Sequence, residues 1–375
     1  MRTVLKSRDK GEDLMNIINN RAALEHTKAA LQKGKIKIGF IGGSITAFED
    51  FRSWTEPVIN RFVSGYDGVA VSVVNAGVGA TRSDYAVFRA ETDLDGCDLV
   101  FVEFAANDNP EKTEYRMKTR EGLLRKLLGK PNDIVLVYTY VQDMYRDMIN
   151  GVMPKSISEF EQLAEHYNIP SVWMGLEALR QNTDGLLRWE EWLPDGTHPL
   201  DRGSLCYAGA VIRYLEQALA DSTVSKLNRT AQPLCSDNWE HCYALGFDCI
   251  KWSKPWSLRC NATNTGSINP GLHLYTSAVG ASLEFEFRGK GLFMVQMFGT
   301  LAAEFDYSID GGEYKHCHVI DERPVWMGKT DWHRCIVLAD GLEDGSHSFK
   351  MTTTHSVAPQ FCGTRMIIKL FGIIQ

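Results

Sequence analysis

Apolar positions in the first half of the chain fall in short, nearly continuous runs separated by longer amphipathic stretches. The runs KIKIGFI (35 to 41), VAVSVVNAG (69 to 77), DLVFVEF (98 to 104), DIVLVYTYV (133 to 141) and PSVWM (170 to 174) read as strands. They are apolar on both faces, as parallel strands covered by helices tend to be. Helical periodicity is expected over 111 to 129, 155 to 167 and about 203 to 220, with an earlier helix over about 13 to 33 closed by Gly34. Strands alternating with helices in this order predict a doubly wound α/β/α sandwich around a five-stranded parallel sheet.

Beyond about residue 221 the pattern changes. ASLEFEFRGKGLFMVQMF, AEFDYSIDGGEYKHCHVI, HRCIVLADGLEDGSHSFKMTTT and RMIIKLFGII read as strands and hairpins, with DGGE and EDGSH as turns. The chain therefore divides into an N-terminal helical extension (1 to 34), an α/β domain (35 to 220) and an all-β domain (221 to 375). The stretch from 221 to 265 fits neither pattern and reads as a linker packed against both halves.

Composition narrows the classes of function. A length of 375 residues, with 44% hydrophobic and 23% charged positions, suits two globular cores. A net charge of -7 argues against a nucleic-acid partner, which needs clustered Lys and Arg. No apolar run approaches the roughly 18 residues that span a bilayer, so no membrane partner is expected. The first twenty residues carry frequent charges and no apolar core, unlike a secretory signal. Nine scattered cysteines suit a reducing compartment, and the cytoplasm is the expected location.

Polar signals collect at the carboxyl ends of the predicted strands, where open parallel sheets bind ligands. Ser44 follows the first strand, NAGVGAT (75 to 81) the second and AANDNP (105 to 110) the third; PDGTHPL (194 to 200) precedes the last helix. A serine needs a base to become a useful nucleophile, and His198 is the histidine placed to serve. Asp195, three residues earlier, can accept the other imidazole hydrogen and fix its tautomer. The backbone NH of Ser44, an NH from Gly79 or Ala80, and the side chain of Asn107 are candidate oxyanion donors, helped by the dipole of a helix after Ser44.

The order Ser, Asn, Asp-x-x-His with a GGSIT start resembles the SGNH hydrolases, also called GDSL hydrolases, over about residues 35 to 220 and in all four signature blocks. The resemblance implies a flavodoxin-like catalytic domain in which Ser44 is the nucleophile, Asn107 an oxyanion donor, and Asp195 and His198 the rest of a triad. Gly43 stands where that family's motif has aspartate, and Ala80, with Gly79 beside it, where the second block has its oxyanion glycine. Ala105 replaces the third block's glycine and is expected to narrow the floor of the site. The C-terminal segment looks like the jelly-roll accessory domains of carbohydrate esterases.

Other readings have less support. No G-x-S-x-G elbow surrounds any serine, which disfavours an ordinary α/β-hydrolase. GFIGGSIT lacks the G-x-G-x-x-G spacing of a dinucleotide site. Structural roles are expected for Asp108 as a cap on the helix beginning near Glu111, for Asn75 in a turn, and for Arg89 in a pair with Glu91 or Asp93. Trp189 and Trp192 are equally compatible with a sugar or acyl pocket and with packing. In HCH (316 to 318), strand alternation sends His316 and His318 to one face and Cys317 to the other, and solvent-facing histidines are expected in place of a metal site.

The resulting expectation is an acyl-enzyme esterase acting on small, mostly acetyl, esters of a small molecule or oligosaccharide, with neither metal nor organic cofactor. A lysophospholipase or thioesterase of the same family, or a non-catalytic carbohydrate-binding protein, are the alternatives. Homo-oligomerisation is left open.

Overall fold

The structure, a computed structural model, describes residues 15–221, 225–262, 271–318, 331–356 and 363–375. The sheet of the first domain holds β1 (Ile18–Asn19), β2 (Lys35–Gly42), β3 (Ala70–Asn75), β4 (Leu99–Glu103), β5 (Asp133–Val137) and β6 (Ser171–Val172). Its order is β1-β6-β5-β4-β2-β3, with β2 to β6 all parallel and β1 antiparallel on the edge. The five parallel strands are those the apolar runs predict. Both faces of β4 and β5 are buried, which is why their sequences carry no polar alternation.

Around this sheet run α1 (Glu25–Gln32), α2 (Ser44–Ala47), α3 (Thr55–Gly65), α4 (Ser83–Asp93), α5 (Thr113–Leu128), α6 (Tyr145–Ile149), α7 (Lys155–Tyr167), α8 (Met174–Thr183), α9 (Trp189–Trp192) and α10 (Asp201–Ala220). The helix expected over 13 to 33 is only half formed. Residues 1–14 lie outside the described ones, Ile18 and Asn19 pair with Val172 and Ser171 as an added strand, and α1 occupies the second half alone. Because β2 has β3 on one side and β4 on the other, its carboxyl end is the point where the chain reverses its direction of winding.

The second domain is built from β7 (Tyr243–Ala244), β8 (Lys251–Trp252), β9 (Ser257–Asn261), β10 (Gly271–Thr276), β11 (Ser282–Gly289), β12 (Gly291–Phe298), β13 (Glu304–Ile309), β14 (Lys315–Cys317), β15 (Trp332–Ala339), β16 (Gly345–Thr354) and β17 (Met366–Ile374). They form two antiparallel sheets, β15-β12-β17-β10-β9 with β7 on β17, and β14-β13-β16-β11-β8. Leu283, Phe285, Met294, Phe349 and Phe371 fill the space between them. DGGE closes a true hairpin, β13 to β14. EDGSH instead carries the chain from one sheet to the other, because β15 and β16 lie in different layers. The last two residues of the run ending HCHVI lie outside the described residues.

Residues 225 to 242 pack on the first domain. The Arg229 guanidinium donates to the carbonyls of Leu128, Lys130 and Asn132, and the backbone NH groups of Leu234 and Cys235 donate to Glu121. Trp239 is buried against Phe88 and Phe293. Among the described residues, no helix is long and apolar enough to cross a membrane.

Candidate active site

Ser44 is delivered by the end of β2. Gly42 and Gly43 carry the chain out of the strand, and Ser44 opens α2, a single turn of four residues. A helix this short has little dipole, so the field expected from it is small. The Ser44 hydroxyl donates to His198 Nε2 at 2.8 Å. His198 Nδ1–H donates to Asp195 Oδ2, also at 2.8 Å, which fixes the tautomer that leaves Nε2 as acceptor.

The turn holding the last two residues is set locally. Gly196 has φ +81°, a conformation that favours glycine, and it lets the chain fold back so that Asp195 Oδ1 accepts from the NH groups of Thr197 and His198 at 2.9 and 2.7 Å. Burial pushes the Asp195 carboxyl up, but the His198 NH, the His198 ring and the Thr197 NH outweigh it and hold the group below the ordinary carboxylate range. The acid is thus ionised and aimed at the ring.

The second and third loops converge on the same point. A Cβ added to Gly79 would lie 3.8 Å from Ser44 Cβ, and Ala80 next to it is in the left-handed region with φ +57°. A Cβ on Gly43 would stand 2.2 Å from Asn107 Oδ1, so the Asn107 amide lies directly on the backbone before Ser44. Ala105 is fully buried in the core beside the site. Ser44, Gly79, Asn107, Asp195 and His198, read from four separate loops, are therefore brought into one place, with Ala80 bordering it.

The surrounding residues sort as follows. Asn75 donates to the Thr46 carbonyl and accepts from the Gly77 NH, the turn role expected of it. Asp108 caps a helix other than the one expected: its carboxylate accepts from the NH and hydroxyl of Ser83 at the start of α4 and from Arg120, while α5 begins without a side-chain cap. Arg89 pairs with Asp93 at 2.5 Å. Trp192 is fully buried against Tyr140 and Tyr207, and Trp189 packs on it, so packing describes both.

Two features escape the sequence reading. Phe48 lies edge-on to the His198 ring, with the Arg52 guanidinium 3.9 Å above its own ring, so the segment after α2 forms a wall beside the imidazole. The stretch TAFEDFRSW shows aromatics there but nothing in its spacing assigns them to the site. Behind Ser44, the fully buried Glu103 accepts from the Gly43 NH and from the hydroxyls of Thr46 and Thr139. Burial raises its carboxyl to about 7 in spite of those three hydrogen bonds.

A cleft of about 500 Å³ opens beside Ala80. Arg82 and Glu111 line it from the first domain; Phe298, Trp332 and Arg334 line it from the second. Ser44, Asp195 and His198 are not among its lining residues; Ala80 is where the cleft meets the loops that gather around Ser44.

No family model and no curated protein matches the chain. Among solved structures, the crystal structure of a two-domain esterase active on acetylated mannans, co-crystallised with mannopentaose, superposes with a TM-score of 0.80 at 21% identity, covering 96% of each chain. A second structure of a two-domain esterase active on acetylated mannans gives 0.78 at 20% identity, over 96% of this chain and 97% of that one. At this identity the likeness speaks for the fold, and it spans both domains: a doubly wound α/β domain followed by a β-sandwich.

Proposed function

We propose that the chain is a serine esterase that removes small acyl groups, acetyl foremost, from carbohydrate. The observation that carries this reading is the continuous hydrogen-bond chain from Ser44 through His198 to Asp195, seated at the switch point of the sheet with Asn107 against the preceding glycine. In the first step Ser44 Oγ bonds to the ester carbonyl carbon as its proton passes to His198 Nε2. The carbonyl oxygen becomes an oxyanion, received by the NH of Ser44, the NH of Gly79 or Ala80, and the Asn107 amide. The carbon–oxygen bond to the sugar then breaks, and the departing alcohol takes the proton from His198. Water repeats the cycle on the acyl-enzyme, releasing the carboxylic acid and restoring Ser44.

Two observations support a sugar as the alcohol. The cleft beside Ala80 offers aromatic and charged side chains together, the mixture that suits a hydroxylated ring better than a long acyl chain. Two solved structures that share the whole two-domain fold are of a two-domain esterase active on acetylated mannans.

The test is labelling with a fluorophosphonate followed by mass spectrometry, then turnover of acetyl esters by wild type and Ser44→Ala. The label should sit on Ser44, and Ser44→Ala should lose roughly three or more orders of magnitude in kcat while remaining folded. Acetylated oligosaccharides should be deacylated, and esters of longer acyl chains should react more slowly. Label on another serine, or full activity in Ser44→Ala, would sink the mechanism; a preference that rises with each added methylene would sink the substrate class.

A further inference from the structure

At one edge of the sandwich, β13 and β14 pair antiparallel with Asp306 opposite His316 and Phe305 opposite Cys317. Alternation places Glu304 and Asp306 on the same face of β13, and it places His316 and His318 on that face of the neighbouring strand. The sequence pattern alone puts the two histidines together; the register adds two carboxylates facing them. Cys317 points the other way and packs on the sandwich core.

The groups are close. His316 Nε2 lies 2.9 Å from one Glu304 oxygen, His318 Nδ1 lies 3.9 Å from the other, and the two imidazole rings are 4.3 Å apart. One ligand atom from each of Glu304, His316 and His318 falls within 4.8 Å of the rest. Ligands held about 2.0 to 2.2 Å from a common tetrahedral ion stand roughly 3.4 Å from one another. Closing the remaining gap needs only a modest rotation of His318, whose side chain is 67% exposed and free to turn.

We propose that Glu304, His316 and His318 form a zinc site that fastens the edge strand β14 to β13. Two imidazole nitrogens and one carboxylate oxygen are a donor set for zinc, whereas calcium and magnesium take oxygen. Water supplies the fourth position. Asp306 Oδ1 lies 2.6 Å from His316 Nδ1 and accepts that N–H, which fixes the ring so that Nε2, donating to Glu304 at 2.9 Å in the metal-free chain, sits where it would bind the ion on giving up that proton. Glu304 is 3% exposed in its side chain, and with Asp306 it gives the patch two negative charges that a divalent ion balances. A three-residue strand at the end of a sheet has few ladder hydrogen bonds to hold it, and a metal bridge to its neighbour adds a fixed link there.

The experiment uses the full chain, stripped with a chelator and dialysed against zinc chloride, with metal content and thermal unfolding as the readouts. Wild type should bind one zinc per chain at this site, and its Tm should rise by about 2 °C or more at saturation. His318→Ala, at an exposed position that a folded chain tolerates, should weaken zinc binding at least tenfold and abolish the rise. Glu304→Gln should do the same. Asp306→Asn should weaken binding about 10- to 100-fold through the orientation of His316. Cys317→Ser should bind as wild type does. The proposal is overturned if wild type takes up no zinc at about 100 µM, if stoichiometry and affinity persist in His318→Ala and Glu304→Gln, or if Cys317→Ser loses the ion.

Discussion

Glu103 ends β4 directly behind the loop that carries Ser44, and among the described residues its hydrogen-bond partners include no cation. Burial holds its pKa near 7 where an exposed glutamate has 4.5. Between those two values the folded chain keeps a proton that the unfolded chain has released. Stability from this group is therefore full below about pH 4.5 and is lost as pH rises toward 7, the sign of a group whose folded pKa is raised. Glu103→Gln keeps the shape and stays neutral, with its amide able to donate to Thr139 while its oxygen accepts from Gly43 and Thr46. In urea titrations at pH 5 and pH 8, wild type should lose up to about 3 kcal/mol relative to the variant between the two conditions. Parallel stability profiles would show that the carboxyl is not protonated in the fold. Nothing in VFVEF announces this role, since a glutamate ending an apolar run reads as the edge of a strand. Ser44, Asn107, Asp195 and His198 were legible because each sits at a strand end or a turn whose position the apolar pattern fixes. Phe48 and Glu103 were not, because what they touch is chosen by tertiary packing.

At the level of elements, Asp108 shows how one loop serves both site and scaffold. It follows Asn107 directly, yet its carboxylate turns away to the first turn of α4, accepting from Ser83, and to the fully buried Arg120 of α5. Arg120 also donates to Ser156 at the start of α7, so three helices are tied through Asp108 and Arg120, next to Asn107. Asp108→Ala would take from the buried Arg120 its hydrogen-bonded carboxylate, leaving only Glu159 at 3.8 Å, and it should cost up to about 3 to 5 kcal/mol in urea unfolding. A loss below about 1 kcal/mol would mean that the tie is not a structural one. Reading the sequence correctly finds a cap here but assigns it to the nearest following helix. The true partner is 25 residues earlier in the chain, a pairing set by the crossing of strands and invisible to local spacing. The same limit explains β1: its two residues are a strand only because β6 offers them a backbone edge, whereas their own spacing suits a helix.

For the whole molecule, the question is whether the sandwich is an appendage or a wall of the first domain. The strand GLFMVQMF answers it, because all eight of its positions are buried whereas the preceding strand SLEFEFRG alternates. Leu292 and Met294 face the other sheet; Phe293 and Val295 face the first domain and join its core. Phe293 stacks on Phe88 of α4 with ring centroids 4.9 Å apart and meets Trp239 edge-on at 5.7 Å. On the same sheet, Gly372 gives the Phe88 ring its space, since a Cβ there would come within 2.5 Å of it. A strand buried at every position, next to one that alternates, is thus the mark of a sheet covered on both sides. Phe293→Ala removes a ring from the centre of this contact, and it should lower stability by about 3 to 5 kcal/mol. Because the ring belongs to both halves, its loss should also uncouple them. Wild type should melt in a single calorimetric transition and Phe293→Ala in two, the first domain and the sandwich unfolding separately. Two transitions already present in wild type, or one unshifted transition in the variant, would mean that the two halves do not depend on this contact.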